Sequence, residues 1–125
     1  MPEVTHNPQG DYPQPAAVHQ FDIELEADRL IAQLGGHGHQ SRTLAREAGV
    51  SLVLMALEGG DAVPEHATHG ATSIMPVRGH TVVTIGGEDA DLRPGALVFL
   101  QPNVRHEIRA EEQSVVLLTI SGGSA

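Results

Sequence analysis

There is no cysteine in this chain of 125 residues. That excludes disulfides, thiolate zinc sites and a cysteine nucleophile, and leaves the compartment open. Aromatic side chains are almost as scarce, with Tyr12, Phe21 and Phe99 the only ones among Phe, Tyr and Trp. Any core must therefore be filled by Val, Leu, Ile and Ala, which suits strands packed inside a small barrel. Positive charge is short too: seven Lys and Arg stand against 16 Asp and Glu, a formal net charge of −9 with histidine neutral. A field of that sign repels phosphate backbones and anionic membrane surfaces. Arg42 and Arg46 are close together, but Glu47 sits beside them. Without basic patches or stacking aromatics, DNA and RNA are not expected as direct partners. No apolar run is long enough to span a bilayer, and the amino terminus lacks the basic run and apolar stretch of a signal peptide. A cytoplasmic protein with no membrane partner is expected.

Forty per cent of the chain is apolar, and its length fits one domain, since domains most often run about 100–150 residues. Residues 1–20 open with Pro, Gly, Asn and Gln in no periodic order and read as a flexible N-terminal arm. Residues 21–42 read as a helix and a loop. Asp22 is placed as an N-cap, with Glu24 and Glu26 in the first turn where the helix dipole favours acids. Ile23, Ala27, Leu30, Ile31 and Leu34 form one apolar stripe at helical spacing, and Gly35-Gly36 stops the helix. The stripe needs a partner, either a sheet wall or a second subunit. His37 and His39, set among glycines, can chelate adventitious metal but read first as the loop after that helix.

Residues 43–125 change to short β-type runs cut by turns. Val50 to Leu57 is almost wholly apolar, as a strand buried on both faces would be. Ser73 to Val77, Thr81 to Ile85, Glu88 to Leu92, Ala96 to Leu100, Glu107 to Arg109 and Val115 to Ile120 continue the series. Gly86-Gly87 signals a hairpin, and Arg93-Pro94-Gly95 a type II turn. Met55 and Met75 read as core filler. Such a series, with no helices between strands, indicates an all-β sandwich or barrel.

Two stretches, residues 60–79 and 95–110, resemble the paired motifs of the cupin superfamily, G-x5-H-x-H-x3-E-x6-G and G-x5-P-x-G-x2-H-x3-N. Gly60, His66 and Gly79 stand at matching positions of the first, Gly95 and His106 of the second. Fifteen residues separate Gly79 from Gly95, a short gap like that of small cupins. The resemblance implies a single cupin-type β-barrel (a double-stranded β-helix, or jelly roll) with a short N-terminal helix before it. It also implies a metal site, and there the chain departs from the pattern. Thr68 stands for the second histidine and Thr72 for the glutamate. Gln101, Asn103 and Ala110 replace the proline, glycine and asparagine of the second motif. Asn103 can still make the turn, because Asn tolerates the left-handed conformation.

His66 and His106 are the expected ligands, and His69 is a third candidate if a small bulge or loop adjustment turns it inward. Three neutral imidazoles would suit a divalent Zn, Fe, Ni or Cu. Thr68, Thr72 and Gln101 are expected as polar pocket groups. Arg78, Arg105 and Arg109 read as solvated surface, with Arg105 the one nearest a carboxylate-binding role, and His80 reads as exposed in a bend. Two functions remain open: a metal-supported enzyme of oxygenase or isomerase type, and a metal-free cupin that binds or senses a small molecule without turnover. A homodimer is expected, because barrels with exposed strand edges commonly pair across them.

Overall fold

Asp22 begins the one helix found among the described residues, as expected. Its extended backbone turns into α1 (Ile23–Leu34) while its carboxylate accepts the Leu25 N–H at 3.1 Å. Gly35 closes the helix in the left-handed region at φ 65°. The computed structural model describes residues 4–5 and 17–122, so most of the expected N-terminal arm lies outside the described residues. Within it, β1 (Val4–Thr5) pairs in parallel with β2 (Val18–His19).

Nine further strands follow the helix: β3 (His39–Glu47), β4 (Val50–Leu57), β5 (Ala62–His66), β6 (Thr72–Arg78), β7 (Thr81–Ile85), β8 (Glu88–Leu92), β9 (Val98–Leu100), β10 (His106–Ala110) and β11 (Ser114–Ser121). They form two antiparallel sheets, a five-stranded one in the order β3-β4-β11-β6-β9 and a four-stranded one in the order β5-β10-β7-β8. This is the expected β-barrel with a short helix before it.

Alternation along the central strands splits the apolar residues into two layers. Met55, Leu57, Ile74, Val83, Leu92, Leu100, Ile108, Ala110 and Val116 pack together inside the barrel. The outward members of the same strands, Leu54, Ala56 and Val115, pack against Ala27, Leu30 and Leu34. The helix stripe therefore has its partner in the barrel wall, and β4 is buried on both faces as its composition required. Arg78 ties the two together, donating to the Glu24 carboxylate at 2.6 Å and to Asp28 at 2.8 Å.

The expected turns are present. Gly86 and Gly87, at φ 60° and 83°, join β7 to β8. Ala96 N–H donates to Arg93 O at 2.9 Å across a turn whose Gly95 has φ 98°. Among the strands after the helix, two differ from the sequence reading. β3 begins at His39, inside the segment read as loop, because its first residues are polar and exposed along a sheet edge. β5 was not anticipated at all: it carries Pro64, which a sheet accepts only where the missing N–H faces no partner, and β5 is such an edge strand.

Candidate functional site

The ladder registers define two ends of the barrel. His66 pairs with His106, and Thr72 with Leu100, at one end, the mouth. Thr81 pairs with Ala110 and with Leu92 at the other. Strand pairing thus sets His66 and His106 side by side although 39 residues separate them in the chain. Their rings lie 4.4 Å apart between centroids, tilted by 54°.

A bulge helps to aim them. Between His106↔His66 and Ile108↔Val63, β5 advances three residues while β10 advances two. The extra residue lies before His66 in β5. Bulges of this kind re-aim side chains at barrel rims.

Both rings are oriented by one local device. His66 Nδ1 donates to Pro64 O at 3.0 Å, and His106 Nδ1 donates to Val104 O at 3.0 Å. A carbonyl only accepts, so each Nδ1 carries a proton and each neutral ring keeps its lone pair on Nε2. His106 is buried, with 1% of its surface exposed, and His66 is half-buried. Burial pushes the His106 pKa below its ordinary value. The Val104 carbonyl opposes that shift, and the neighbouring His66 adds to it. His106 is therefore a neutral imidazole near pH 7.

The threonines standing for the lost ligands are engaged with each other. Thr72 is 2% exposed and shares the inward face of Ile74. Its hydroxyl lies 2.7 Å from that of Thr68, which donates to Gly70 O at 3.0 Å. Asn103 occupies the left-handed region at φ 67°, as a glycine in that position would, and its N–H donates to Thr68 O at 2.8 Å. Gln101 is exposed, and its carbonyl accepts the Val104 N–H at 3.4 Å in the same turn. His69, the third candidate ligand, is exposed on the loop between β5 and β6. Arg105 pairs with Glu65 at 3.2 Å on exposed surface.

Three further histidines are engaged elsewhere. His39 meets Asp61 at 2.8 Å and His80 meets Asp91 at 2.5 Å, both at the end opposite the mouth. His80, read from sequence as exposed, is instead a partly buried partner that lowers the Asp91 pKa. His19 meets Glu47 at 2.8 Å. Sequence reasoning missed the positioning role of the Pro64 and Val104 carbonyls. The shared signal is a carbonyl two residues before each histidine, visible only once both segments are known to be strands.

A transition metal would be expected at this mouth from the resemblance, and the donor set decides the fit. Two Nε2 lone pairs suit such an ion. The positions of a third imidazole and a carboxylate carry neutral hydroxyls already spent on each other. Among the described residues no group of three or more His, Cys, Asp or Glu is placed to hold one ion. Two imidazoles fall short of the three protein ligands that a resident catalytic zinc takes, so the residues as placed do not fit one.

Comparisons with known proteins agree with the architecture. Residues 53–121 match the family model described as Cupin domain. No curated protein matches the chain. Among solved structures, an RmlC-like cupin from Shewanella frigidimarina is 22% identical with a TM-score of 0.65, covering 73% of this chain and 81% of that one. KdgF from Halomonas sp. is 24% identical with a TM-score of 0.64, over 70% of this chain and 82% of that one. A salicylate 1,2-dioxygenase variant from Pseudoaminobacter salicylatoxidans is 17% identical with a TM-score of 0.72, over 81% of this chain but 34% of its own. At these identities the likeness is one of fold.

Proposed function

The chain belongs to the cupin domain family, and within it we propose that this protein binds a small, largely apolar molecule bearing a hydroxyl or enol group, without a resident metal and without turnover. The observation that carries the reading is the His66–His106 pair, with both Nδ1 atoms spent on backbone carbonyls and both Nε2 lone pairs left open. Two neutral acceptors side by side favour a ligand that donates. Behind them the barrel is lined by aliphatic side chains, with Val63, Ile85, Val98, Val104 and Leu118 partly buried around the core. Apolar walls with a few convergent polar groups are the usual make-up of a small-molecule site. The net charge of −9 disfavours anionic ligands.

Phenol is the probe. Titrated to millimolar concentration, it is expected to shift the Nε2 resonances of His66 and His106 in 15N NMR, and His106→Phe is expected to weaken that binding at least about tenfold, the worth of one hydrogen bond. No shift at those two nitrogens, or shifts centred elsewhere, would sink the reading.

A second reading is a metal-supported enzyme in which His69 joins His66 and His106. What favours it is the same pair of open Nε2 atoms, together with the salicylate 1,2-dioxygenase among proteins of similar fold. Elemental analysis of protein purified without chelators or nickel resin separates the two. About one equivalent of Zn, Fe, Ni or Cu per chain supports the second reading, and a content near zero that added metal does not raise supports the first.

The homodimer is also proposed. Each main sheet ends in two strands paired on one side only, β3 and β9 in one, β5 and β8 in the other, and such edges invite pairing. Light scattering at micromolar concentration is expected to return twice the chain mass of 13.2 kDa, and a monomer mass refutes it.

A further inference from the structure

We infer that Thr68, Thr72 and the Gly70 carbonyl form a closed hydrogen-bond latch that holds the barrel mouth in place of a metal. The inference rests on the metal-independent part of the reading above. It starts from the loop of residues 67–71, which crosses from β5 in one sheet to β6 in the other. A loop that bridges two sheets at a rim must be fixed by something, and here each of its attachments is neutral.

Proton accounting shows the latch to be complete. Thr68 donates to Gly70 O at 3.0 Å, so its oxygen is free to accept, and Thr72 donates to it at 2.7 Å. The alternative direction would leave Thr72 donating to Gly70 O over 3.4 Å, a poorer bond. In the favoured direction both hydroxyl protons are used within the loop. Thr72 is 2% exposed, so a hydroxyl left unpaired there would carry a desolvation penalty.

The flanks of the loop are fixed as firmly. Asn103 N–H donates to Thr68 O at 2.8 Å on one side, and Ser121 N–H donates to Ala71 O at 2.9 Å on the other. Gly70 lies so close to the Ser121 carbonyl that a Cβ there would fall within bonding range of its oxygen. The close approach locks the lip onto the end of β11. His69 sits between these anchors and is exposed. Nothing charged takes part, and no ion is needed to balance the site.

The test converts the latch back into ligands. Thr68 and Thr72 occupy the positions at which the family motif carries His and Glu. In equilibrium dialysis against zinc chloride, the parent chain is expected to retain well under one equivalent. Thr68→His combined with Thr72→Glu is expected to retain about one equivalent, with an affinity raised at least about a hundredfold. The loaded variant should also melt higher than its own metal-free form, because zinc would bind only the folded state. Stoichiometric zinc on the parent overturns the inference, and so does a folded double variant that takes up no zinc.

Should the double variant fail to fold, Thr72→Val reads the latch directly. It is expected to lower the Tm and to speed amide exchange at Asn103, whose N–H is bonded to the latched loop. An unchanged Tm and unchanged exchange overturn the latch. Phenol binding to the parent reports on the ligand reading alone, so either idea can fail without the other.

Discussion

Gly79→Ala is expected to lower folding stability by about 2–5 kcal/mol. Two penalties combine in that figure. Gly79 has φ 83°, and an L-residue in the left-handed region costs about 1–2 kcal/mol. The new Cβ would also press on the Gln113 carbonyl oxygen and on Ser114 Cα and Oγ, all inside normal contact, and overpacking of that kind costs about 1–3 kcal/mol. Backbone cannot rotate aside as the end of a side chain can. Ser114 is fully buried, its hydroxyl donates to Glu112 O at 2.7 Å and accepts the His80 N–H at 3.0 Å, so a shift there spreads into the turn that joins the two sheets.

Gly95→Ala supplies the control. Gly95 has φ 98°, but a Cβ there would meet nothing within 4 Å. It should lose only the conformational part, about 1–2 kcal/mol. Urea titration of both variants gives the comparison. Equal losses would mean that the contact with residues 113–114 yields easily, and that Gly79 is required for its backbone angle alone.

What was legible in the sequence was local. The Asp22 cap, the Gly86-Gly87 hairpin and the Arg93-Pro94-Gly95 turn depend on residues within a few positions of one another, and all are present. The helix stripe was legible because 3.6-residue spacing survives whatever covers it, though not its partner, since a sheet wall and a second subunit bury the same residues. β5 was hidden because Pro64 and the exposed Glu65 break the alternation a strand is recognised by. Two residues of β5 matter most to the site, namely His66 and the Pro64 whose carbonyl orients it. The His66–His106 contact is long-range, and only the family motif pointed to it. The Thr68–Thr72 bond was out of reach for another reason: a separation of four residues brings side chains together in a helix, whereas in a loop it fixes nothing. Gln101, expected as a pocket group, is exposed in the turn that Asn103 completes.

The neutral state of His106 gives the second large effect, a loss of stability and of ligand binding together on mild acidification. In the unfolded chain the imidazole titrates near its ordinary pKa of 6.5, whereas burial lowers it in the folded protein. Protons therefore bind preferentially to the unfolded state. The stability linked to this group is fully present above about pH 6.5 and is lost as pH falls toward the lower folded value. Within that window the slope for one proton approaches about 1.4 kcal/mol per pH unit. His66 stands against the same ring and adds to the lowering of the His106 pKa. Urea unfolding of the parent from pH 8 to 5 should show this slope, and His106→Asn should flatten it. The same proton would occupy the Nε2 lone pair offered to a ligand hydroxyl, so phenol binding should weaken over the same pH range. Parallel slopes for parent and variant would mean that His106 is already solvated enough to charge in the folded barrel. The mouth would then offer a cation at mild acid, and an anionic ligand would become the better fit.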